Sequence, residues 1–455
     1  MQSTDMTQGS IWRHIVRFTI PLLVGNAFQQ LYNAVDSIVV GNLVGKTALA
    51  AVGTSGPIIN VIVGFFMGLG SGIGVLMSQS FGAKDERRIS LTVHTGMAVS
   101  LIISVVLTAA GAIASPWIAR LNGVPPDVLP EASIYLTVVF LGSFGFIMYS
   151  IGAAVLQAVG DSKRPLLFLV VSTVINIALD LFFVAVLGWG VFGVALATSI
   201  AATTSAILVV RTLTKAVESY RLIPRNIRID GATAKEILRI GLPSGVQQAL
   251  VSLSNLFVNG YINGLGTDTM AGYNAYARID LLVGLPIQSL QITAATFFGQ
   301  NLGAGQIKRA KSGINQTLAM MLGLTVITEA ALLLFTSAIL RVFTPDADVI
   351  ASGRRFINAL IPFYLLLCFN QTYSGALRGA GDARSPMLIQ IGCFVVVRQI
   401  YLFFGTRISN TIEVVSAGYP ITWAIAAVAL TAVYLRGRWE TRWATGNSLN
   451  KQEDG

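Results

Sequence analysis

Twelve long apolar stretches constrain the fold of this 455-residue chain more than any other feature. Each is long enough to cross a bilayer, for which about 20 apolar residues suffice. Backbone groups inside a bilayer must bond to one another, so only helices and closed barrels can span it. The stretches lack the period-two alternation of barrel strands, and we therefore predict an all-α integral membrane protein with twelve transmembrane helices. The stretches lie near residues 13–40, 48–78, 90–114, 130–156, 165–187, 191–213, 235–262, 272–299, 310–337, 352–376, 386–406 and 414–436.

Basic residues are distributed unevenly between the loops that join these stretches. With the N-terminus placed inside, 23 of the 31 Lys and Arg residues fall on the inner side. This bias follows the positive-inside rule, and it predicts a multi-pass protein of the bacterial cytoplasmic (inner) membrane with both termini cytoplasmic. The net charge of +10 then reflects topology, so we expect contact with membrane lipids and exclude nucleic acid as a partner.

The second half of the chain repeats the first. Pro21 pairs with Pro243, and Thr47 with Thr269, at an offset of 222. Further pairs follow at an offset of 221, namely Phe81-Gly82-Ala83-Lys84 with Leu302-Gly303-Ala304-Gly305, Leu156-Gln157-Ala158-Val159-Gly160-Asp161 with Leu377-Arg378-Gly379-Ala380-Gly381-Asp382, and Pro165 with Pro386. Six helices in each half insert the same way up, which predicts two lobes related by a pseudo-two-fold axis along the membrane normal. Secondary transporters are built in this way, with the substrate path between the halves, so transport is the leading hypothesis.

This repeat sets the predicted domain limits. We place the N-terminal lobe at residues 1–212, a basic cytoplasmic linker at 213–234, the C-terminal lobe at 235–437 and a cytoplasmic tail at 438–455. We expect the linker, the longest polar inner loop, to lie on the cytoplasmic leaflet. Small residues at four-residue spacing in the second stretch predict a close approach between helices. They are Gly64, Gly68 and Gly72.

Acidic residues inside the apolar stretches are the strongest candidates for function. A charged group in a bilayer costs roughly 2.5–3.5 kcal/mol on insertion scales, so each one needs an explanation. Asp36 ends a polar stripe on one face of the first helix, and Asn176 shares a face of the fifth helix with Asp180. The stripe consists of Asn26, Gln29, Gln30, Asn33 and Asp36. The helical rise of about 1.5 Å per residue places Thr198 of the sixth helix at a depth similar to both acids.

These residues predict one cation-coupling site in the N-terminal lobe. Asp36, Asn176, Asp180 and Thr198 present only oxygens to one point if Asn176 turns its carbonyl inward. Such oxygens suit a hard cation such as Na⁺. Alternatively, two close carboxylates can carry protons. In a third interpretation, Asp36 and Asp180 pair with Arg398 or cap a helix break.

The repeat predicts that the second lobe lacks an equivalent site. At the offset, the four positions fall on Val258, Val397, Tyr401 and Tyr419. A neutral stripe on the seventh helix either faces a hydrated substrate cavity or bonds between helices. The stripe consists of Gln248, Ser252, Asn255 and Asn259. Arg398 is either a structural counter-ion or a substrate contact, Glu329 is expected to pair locally, and the role of Asp280 is open.

Other function classes fit the sequence less well. His14, His94 and two isolated cysteines form no metal-binding pattern, and we expect no cofactor beyond the coupling ion. A membrane-bound transferase would need clustered His and Asp or paired Asp-rich motifs, so the chain is not expected to be an enzyme. The segment 41–47 is one residue short of a nucleotide-binding loop. A passive channel does not need a buried titratable site within one lobe.

The order and doubling of several motifs resemble the multidrug and toxic compound extrusion (MATE) family over about residues 10–437. The motifs are Ile20-Pro21 with Asp36, the stretch from Gln79 to Gly82-Ala83-Lys84, Leu156-Gln157-Ala158-Val159-Gly160-Asp161, Gln300-Asn301-Leu302-Gly303-Ala304-Gly305 and Ala376-Leu377-Arg378-Gly379-Ala380-Gly381-Asp382. Within the family, the chain is similar to the DinF-like branch, whose acidic cluster matches Asp36, Asn176, Asp180 and Thr198. A second branch carries a Glu in the seventh helix and an Asp in the tenth. It matches less well, because Ser252, Ser254 and Asn255 occupy that part of the seventh helix and residues 363–373 contain no acid.

The resemblance implies antiport of small organic, often cationic or amphipathic compounds against H⁺ or Na⁺, by alternating access of two lobes. We expect cation binding to bend the first helix near Pro21, where an amide hydrogen bond is missing, and to release substrate held by Gln29 and Asn33. Gln248, Asn255 and Arg398 complete the predicted substrate cavity.

Two further expectations follow for cargo and assembly. One chain encloses such a path, so we expect a monomer with no obligatory protein partner. The alternative function is a lipid-linked saccharide flippase of the same broader superfamily. A flippase for anionic cargo is expected to have several arginines in its cavity. In this sequence, Arg398 is the one arginine in the middle of a predicted span.

Overall fold

The computed structural model describes residues 4–121 and 123–440, and in these residues the chain forms twelve helical rods. The predicted all-α fold is confirmed throughout this part. The α-helices are α1 (Ile11–Val39), α2 (Lys46–Gly82), α3 (Glu86–Leu121), α4 (Leu129–Ala158), α5 (Lys163–Asp180), α6 (Gly190–Thr214), α7 (Gly231–Asn263), α8 (Thr267–Gly303), α9 (Ile307–Phe343), α10 (Ala347–Leu360), α11 (Tyr364–Gly379), α12 (Arg384–Ile391), α13 (Arg398–Ile408) and α14 (Ile412–Leu435). The predicted tail begins at residue 438, and its residues 441–455 lie outside the described part.

Short turns of other helix types extend or interrupt several rods. π-helical turns at Val40–Val44 and Leu181–Val186 continue α1 and α5. A third π-helical turn, Gly392–Val397, joins α12 to α13 in one rod. The 3₁₀ turn Ile361–Phe363 joins α10 to α11 and contains a proline, which cannot donate a helical hydrogen bond.

Ten rods of the described residues are long and apolar enough to cross a membrane. The two that fall short are α1 and α7, although each has ample length. These two helices carry the polar stripes noted in the sequence. A helix with such a stripe turns it toward protein or water rather than lipid, so its lower hydropathy is consistent with a membrane span.

The chain divides into two compact units. One comprises Arg17–Gly245 with the segment ending at Met6, and the other comprises Thr7–Val16 and Val246–Gly455. The first unit is packed around Met77, Met97, Ile151, Leu156 and Val209. The second is packed around Phe298, Ala310, Ile314, Leu377 and Leu430. The lobe limits predicted from the sequence stay predictions.

The basic segment 213–234 packs against α3 within the first unit. His94 accepts a hydrogen bond at Nε2 from the Ile223 amide at 3.0 Å, and the Thr95 hydroxyl accepts one from the Asp230 amide at 3.2 Å. Hydrogen bonds from Thr233 to the Asp230 carboxylate lower the pKa of that carboxyl below its usual value. The segment is thus held by side chains of α3 at two points.

Left-handed glycines mark the structural register of the repeat. Gly45 (φ 119°) precedes α2 and Gly266 (φ 102°) precedes α8, at an offset of 221. Pro21 and Pro243 are 222 apart, so the first half holds one additional residue between these markers. The π-helical turn Val40–Val44 accommodates it, because a π turn amounts to a single insertion in an α-helix.

The predicted pairing of Thr47 with Thr269 is therefore wrong by one residue. In the structure, the second residue of α2 is Thr47 and the second residue of α8 is Asp268. The later pairs keep the offset of 221, as Gly160 (φ 84°) and Gly381 (φ 85°) show. The one-residue slip thus lies in the first helix, after Pro21.

Glycines bring α2 and the first part of α7 into backbone contact within the first unit. A Cβ added to Gly68 would lie 2.2 Å from the Gly245 nitrogen. One added to Gly72 would lie 2.5 Å from the Ile237 oxygen. The close approach predicted for the second span is confirmed at these two positions.

Candidate functional site

Two helix ends position the acids of the first unit. Asp36 lies in the last turn of α1, and Asp180 is the last residue of α5. A π-helical turn follows each helix, and such turns occur frequently at functional sites. Asp36 is 6% exposed, whereas Asn176 and Asp180 are fully buried.

The four predicted residues meet in one cluster. The Asn176 amide nitrogen donates to Asp36 Oδ1 at 3.0 Å and to Asp180 Oδ2 at 3.3 Å. Thr198 Oγ1 donates to Asp36 Oδ2 at 3.4 Å. The carboxyl groups of Asp36 and Asp180 also lie within hydrogen-bonding reach of each other. The structure therefore brings Asp36, Asn176, Asp180 and Thr198 together, although their role in coupling stays a prediction.

The orientation of the Asn176 amide follows from assignment of the hydrogen-bond network, and the four-oxygen arrangement stays a prediction. With its carbonyl turned inward, the Asn176 oxygen would face only other acceptors, so the amide nitrogen takes this position. In this assignment, the cluster contains one shared donor between two carboxyl groups instead of four converging oxygens. Sequence spacing fixes the face on which Asn176 lies, but the amide rotates to suit its neighbours.

Two tyrosines belong to the cluster and were not predicted. The Tyr32 hydroxyl forms a hydrogen bond with Thr198, and the buried Tyr135 lies close to both acids. Tyr32 precedes Asp36 by one helical turn, a spacing that would have placed it on the same face. Tyr135 comes from α4, and no pattern in the sequence indicates its position.

The acid pair has no basic partner. No Lys or Arg of the described chain lies within ion-pairing distance of Asp36 or Asp180. Asp180 Oδ1 is buried and has no hydrogen-bond partner there. Two carboxylates so placed cannot both be ionised unless a cation binds between them, because their repulsion adds to the cost of burial. The arrangement is suited to hold one proton or one small cation.

The other predicted site residues are spread over both units. In the first unit, Gln29 is half-buried and Asn33 is exposed. Gln248 and Asn255, in the second unit, are exposed, and Asn255 accepts a hydrogen bond from Arg398. Their contact with a substrate stays a prediction. Pro21 is buried within the continuous helix α1, and its role as a hinge likewise stays a prediction.

The second unit holds two further buried acids. Asp280 accepts a hydrogen bond from Tyr276 at 3.2 Å and another from Tyr364. Glu329 is 7% exposed and accepts a hydrogen bond from the Leu365 amide. That amide lies in the first turn of α11, where the 3₁₀ turn leaves N–H groups without helical partners. The buried Glu329 Oε1 has no hydrogen-bond partner in the described chain, so local pairing of Glu329 stays a prediction, and the two phenols around Asp280 were not predicted.

Comparison with known proteins identifies the family. The family model described as MatE matches the chain twice, at residues 21–182 and 243–404. These matches begin at Pro21 and Pro243, the first pair of the repeat found in the sequence.

Curated relatives match over nearly the whole chain. The chain is 28% identical to the Bacillus subtilis protein named "Probable multidrug resistance protein YoeA" over 93% of this chain and 94% of that protein. It is 23% identical to a Thermotoga maritima protein named "Probable multidrug resistance protein NorM" over 95% and 94% of the two chains.

Solved structures show the same fold. One described as MATE in the straight conformation has a TM-score of 0.89 and 24% identity, and covers 97% of this chain and 99% of its own. An outward-facing multidrug resistance MATE family transporter of the MOP superfamily has a TM-score of 0.88 and 24% identity, and covers 98% of both chains. These similarities confirm the twelve-helix, two-lobe fold. The double match of the family model shows that this multi-pass membrane protein belongs to the MatE family of transporters and is not an enzyme.

Proposed function

We propose that this protein exports small organic compounds across the bacterial cytoplasmic membrane in exchange for protons. Membership of the MatE family supports transport, and the names of its relatives support multidrug efflux as the kind of transport. The excess of Lys and Arg in alternate loops supports a cytoplasmic location for both termini.

The shared amide of Asn176 is the observation that carries the coupling proposal. Asp36 and Asp180 both accept from this one nitrogen, and they face each other without a basic partner in the described chain. Two neighbouring carboxylates repel each other and are costly to bury as a charged pair, so the pair is proposed to share one proton. The pair is therefore proposed to gain and lose one proton in each transport cycle.

The composition of the cluster favours H⁺ over Na⁺ as the coupling ion. A sodium ion is best held by several converging oxygens. Here assignment of the hydrogen-bond network turns the Asn176 nitrogen toward both acids, and Thr198 Oγ1 donates to Asp36. Sodium binding would require Asn176 to rotate and release both acids.

The proposed substrates are small organic, cationic or amphipathic compounds. The proposed substrate contacts are Gln29 and Asn33 in the first unit and Gln248, Asn255 and Arg398 in the second. Cavities for such compounds bind by shape and apolar area with few fixed polar contacts. A single chain is proposed to suffice, without an obligatory protein partner or cofactor.

Proteoliposomes loaded with rhodamine B ethyl ester, a cationic dye, test the coupling. We expect dye movement under an imposed ΔpH and none under a sodium gradient at equal pH. Asp36→Asn and Asp180→Asn should each abolish ΔpH-driven movement. The matched control is Asp268→Asn, which removes an exposed acid from the first turn of α8. Full activity of either cluster variant, or transport driven by sodium alone, would contradict the proposal.

A further inference from the structure

Arg398, a buried arginine of the second unit, has no ionic partner among the residues that the structure describes. Arg398 begins α13 directly after the π-helical turn Gly392–Val397 and is 2% exposed. It lies near the middle of the candidate span Arg384–Ile408. A charge at such a position is costly to bury, and intramembrane charges usually serve a function.

Neutral groups surround the guanidinium of Arg398. Nη1 donates to Asn255 Oδ1 at 3.1 Å, and Nη2 donates to Thr422 Oγ1 at 3.3 Å. The rings of Tyr419 and Phe394 lie 4.4 and 5.2 Å from the guanidinium carbon. Nε is buried without a hydrogen-bond partner, and no carboxylate of the described chain lies within ion-pairing distance. The positive charge is therefore oriented by its neighbours but not neutralised.

More exposed cations of the same unit are paired. Arg355 lies 2.6 Å from Glu413, and Lys311 lies 2.6 Å from Glu440. Surface pairs of this kind contribute little to stability, whereas an unpaired buried charge is strongly unfavourable. Arg398 is more buried than either of these cations and has no counter-charge in the described chain, which indicates that a ligand supplies one.

The surroundings of Arg398 define the chemical class of that counter-charge. Its contact Asn255 is exposed whereas the guanidinium is 2% exposed, so a ligand would reach the guanidinium by displacing the Asn255 side chain. Guanidinium groups bind planar carboxylates through two parallel N–H bonds, and Nε has such a bond available. The Tyr419 and Phe394 rings supply apolar area for an attached aromatic or alkyl group.

We propose that Arg398 binds the carboxylate of those transported compounds that carry one. This inference rests on the proposed export function and assigns a charge-selecting residue to it. Gln29, Asn33 and Gln248 are uncharged, which leaves Arg398 as the one predicted cavity residue that selects for charge.

Binding of a matched pair of dyes tests this assignment. Rhodamine B carries a free carboxylate, and its ethyl ester lacks that group but keeps the cationic ring system. Fluorescence titration of purified protein in nanodiscs of neutral lipid should show tighter binding of the free acid. Arg398→Gln should weaken binding of the acid by roughly tenfold or more and leave the ester within about twofold, because only the acid loses a charge-assisted bond. Arg398→Lys should restore part of the difference in affinity between the acid and the ester.

Two controls separate this assignment from a structural role. Arg407→Gln removes an exposed arginine from the other end of α13 and should not change the preference for the acid. Arg398→Gln should also leave the melting temperature unchanged or raised, since it removes an unpaired buried charge. Equal losses for both dyes, a native protein without preference for the acid, or a marked loss of stability in Arg398→Gln would overturn the proposal.

Two further measurements are needed. One distinguishes substrate binding at Arg398 from binding of a lipid headgroup, and the other separates this proposal from the proposal of proton coupling. The anionic headgroup of phosphatidylglycerol has comparable charge, so nanodiscs containing that lipid should retain the preference for rhodamine B. Loss of the preference would assign the arginine to a lipid and contradict substrate binding. Asp36→Asn should bind the acid normally while losing ΔpH-driven transport, so either proposal can fail while the other stands.

Discussion

At the scale of single residues, the cluster of the first unit depends on one side chain. In its assigned orientation, Asn176 donates hydrogen bonds to both Asp36 and Asp180, at 3.0 and 3.3 Å, and no other side chain of the described residues donates to both acids. Of the two acids, Thr198 contacts only Asp36, at 3.4 Å. A hydrogen bond of this length is weak, so we expect Asn176 to contribute more than Thr198 to the position of the two acids.

Substitution of each neutral member tests this inequality. Asn176→Ala should reduce ΔpH-driven dye transport by tenfold or more, because the loss of a buried donor costs about 1–3 kcal/mol. Thr198→Val keeps the shape of the side chain and removes one long bond, so transport should fall by less than about threefold. Initial rates of dye transport in proteoliposomes test whether Asn176→Ala reduces transport more than Thr198→Val. Equal effects of the two variants would contradict the central position of Asn176.

Residue spacing predicted much of this cluster, and its limits are physical. Steps of three and four along α1 and α5 determine which side chains share a face, and the helical rise determines their depth. Both rules apply to Asp36, Asp180 and Thr198, which the structure brings together. Neither rule specifies which end of the Asn176 amide turns inward. Neither specifies that Tyr135 of α4 packs beside the acids, because that contact depends on tertiary packing.

At the scale of helices, the interruptions lie beside the candidate residues. The π-helical turns Val40–Val44 and Leu181–Val186 follow Asp36 and Asp180, and Gly392–Val397 precedes Arg398. A π turn changes the rotation of the helix on either side, so it re-aims side chains without breaking the rod. Apolar runs give no local signal for such turns. Only the one-residue slip of the repeat indicates the first of them.

The close contact between α2 and α7 requires glycine at particular positions of α2. Gly72→Val should destabilise the protein by about 1–3 kcal/mol or displace α7, because the new side chain meets the Ile237 carbonyl and the Gly241 backbone. Gly53→Ala on the same helix is the matched control, since a Cβ there has no neighbour within 4 Å. Thermal unfolding in detergent measures both. Similar melting temperatures for the two variants would exclude this close approach.

The contact between the basic segment and α3 gives a further prediction. His94 accepts from the Ile223 amide, so His94→Leu leaves that amide without its partner at a cost of about 1–3 kcal/mol. We expect faster trypsin cleavage at Arg221, Arg225 and Arg228 in this variant. His94→Gln retains an acceptor and should protect the segment better. Unchanged cleavage in His94→Leu would show that His94 does not hold the segment.

At the scale of the whole molecule, two repeated halves carry different chemistry. The sequence repeat predicted the paired architecture, and the family model matches both halves. Among the residues that the structure describes, the first unit contains an acid pair without a basic partner, and the second contains Arg398 without an acidic one. Duplication therefore preserved the helices while the polar residues diverged. The proposed transporter takes up a proton in one unit and recognises substrate charge in the other.

Proton release on substrate binding tests the central claim most directly. Purified protein in weakly buffered detergent is mixed with rhodamine B ethyl ester, and a pH indicator records the protons released. Because the acid pair is proposed to carry a single proton, native protein should release up to about one proton per dye bound. Asp36→Asn combined with Asp180→Asn should bind dye without release. Release that persists in the double variant, or native protein that binds dye without any release, would contradict proton coupling at this acid pair.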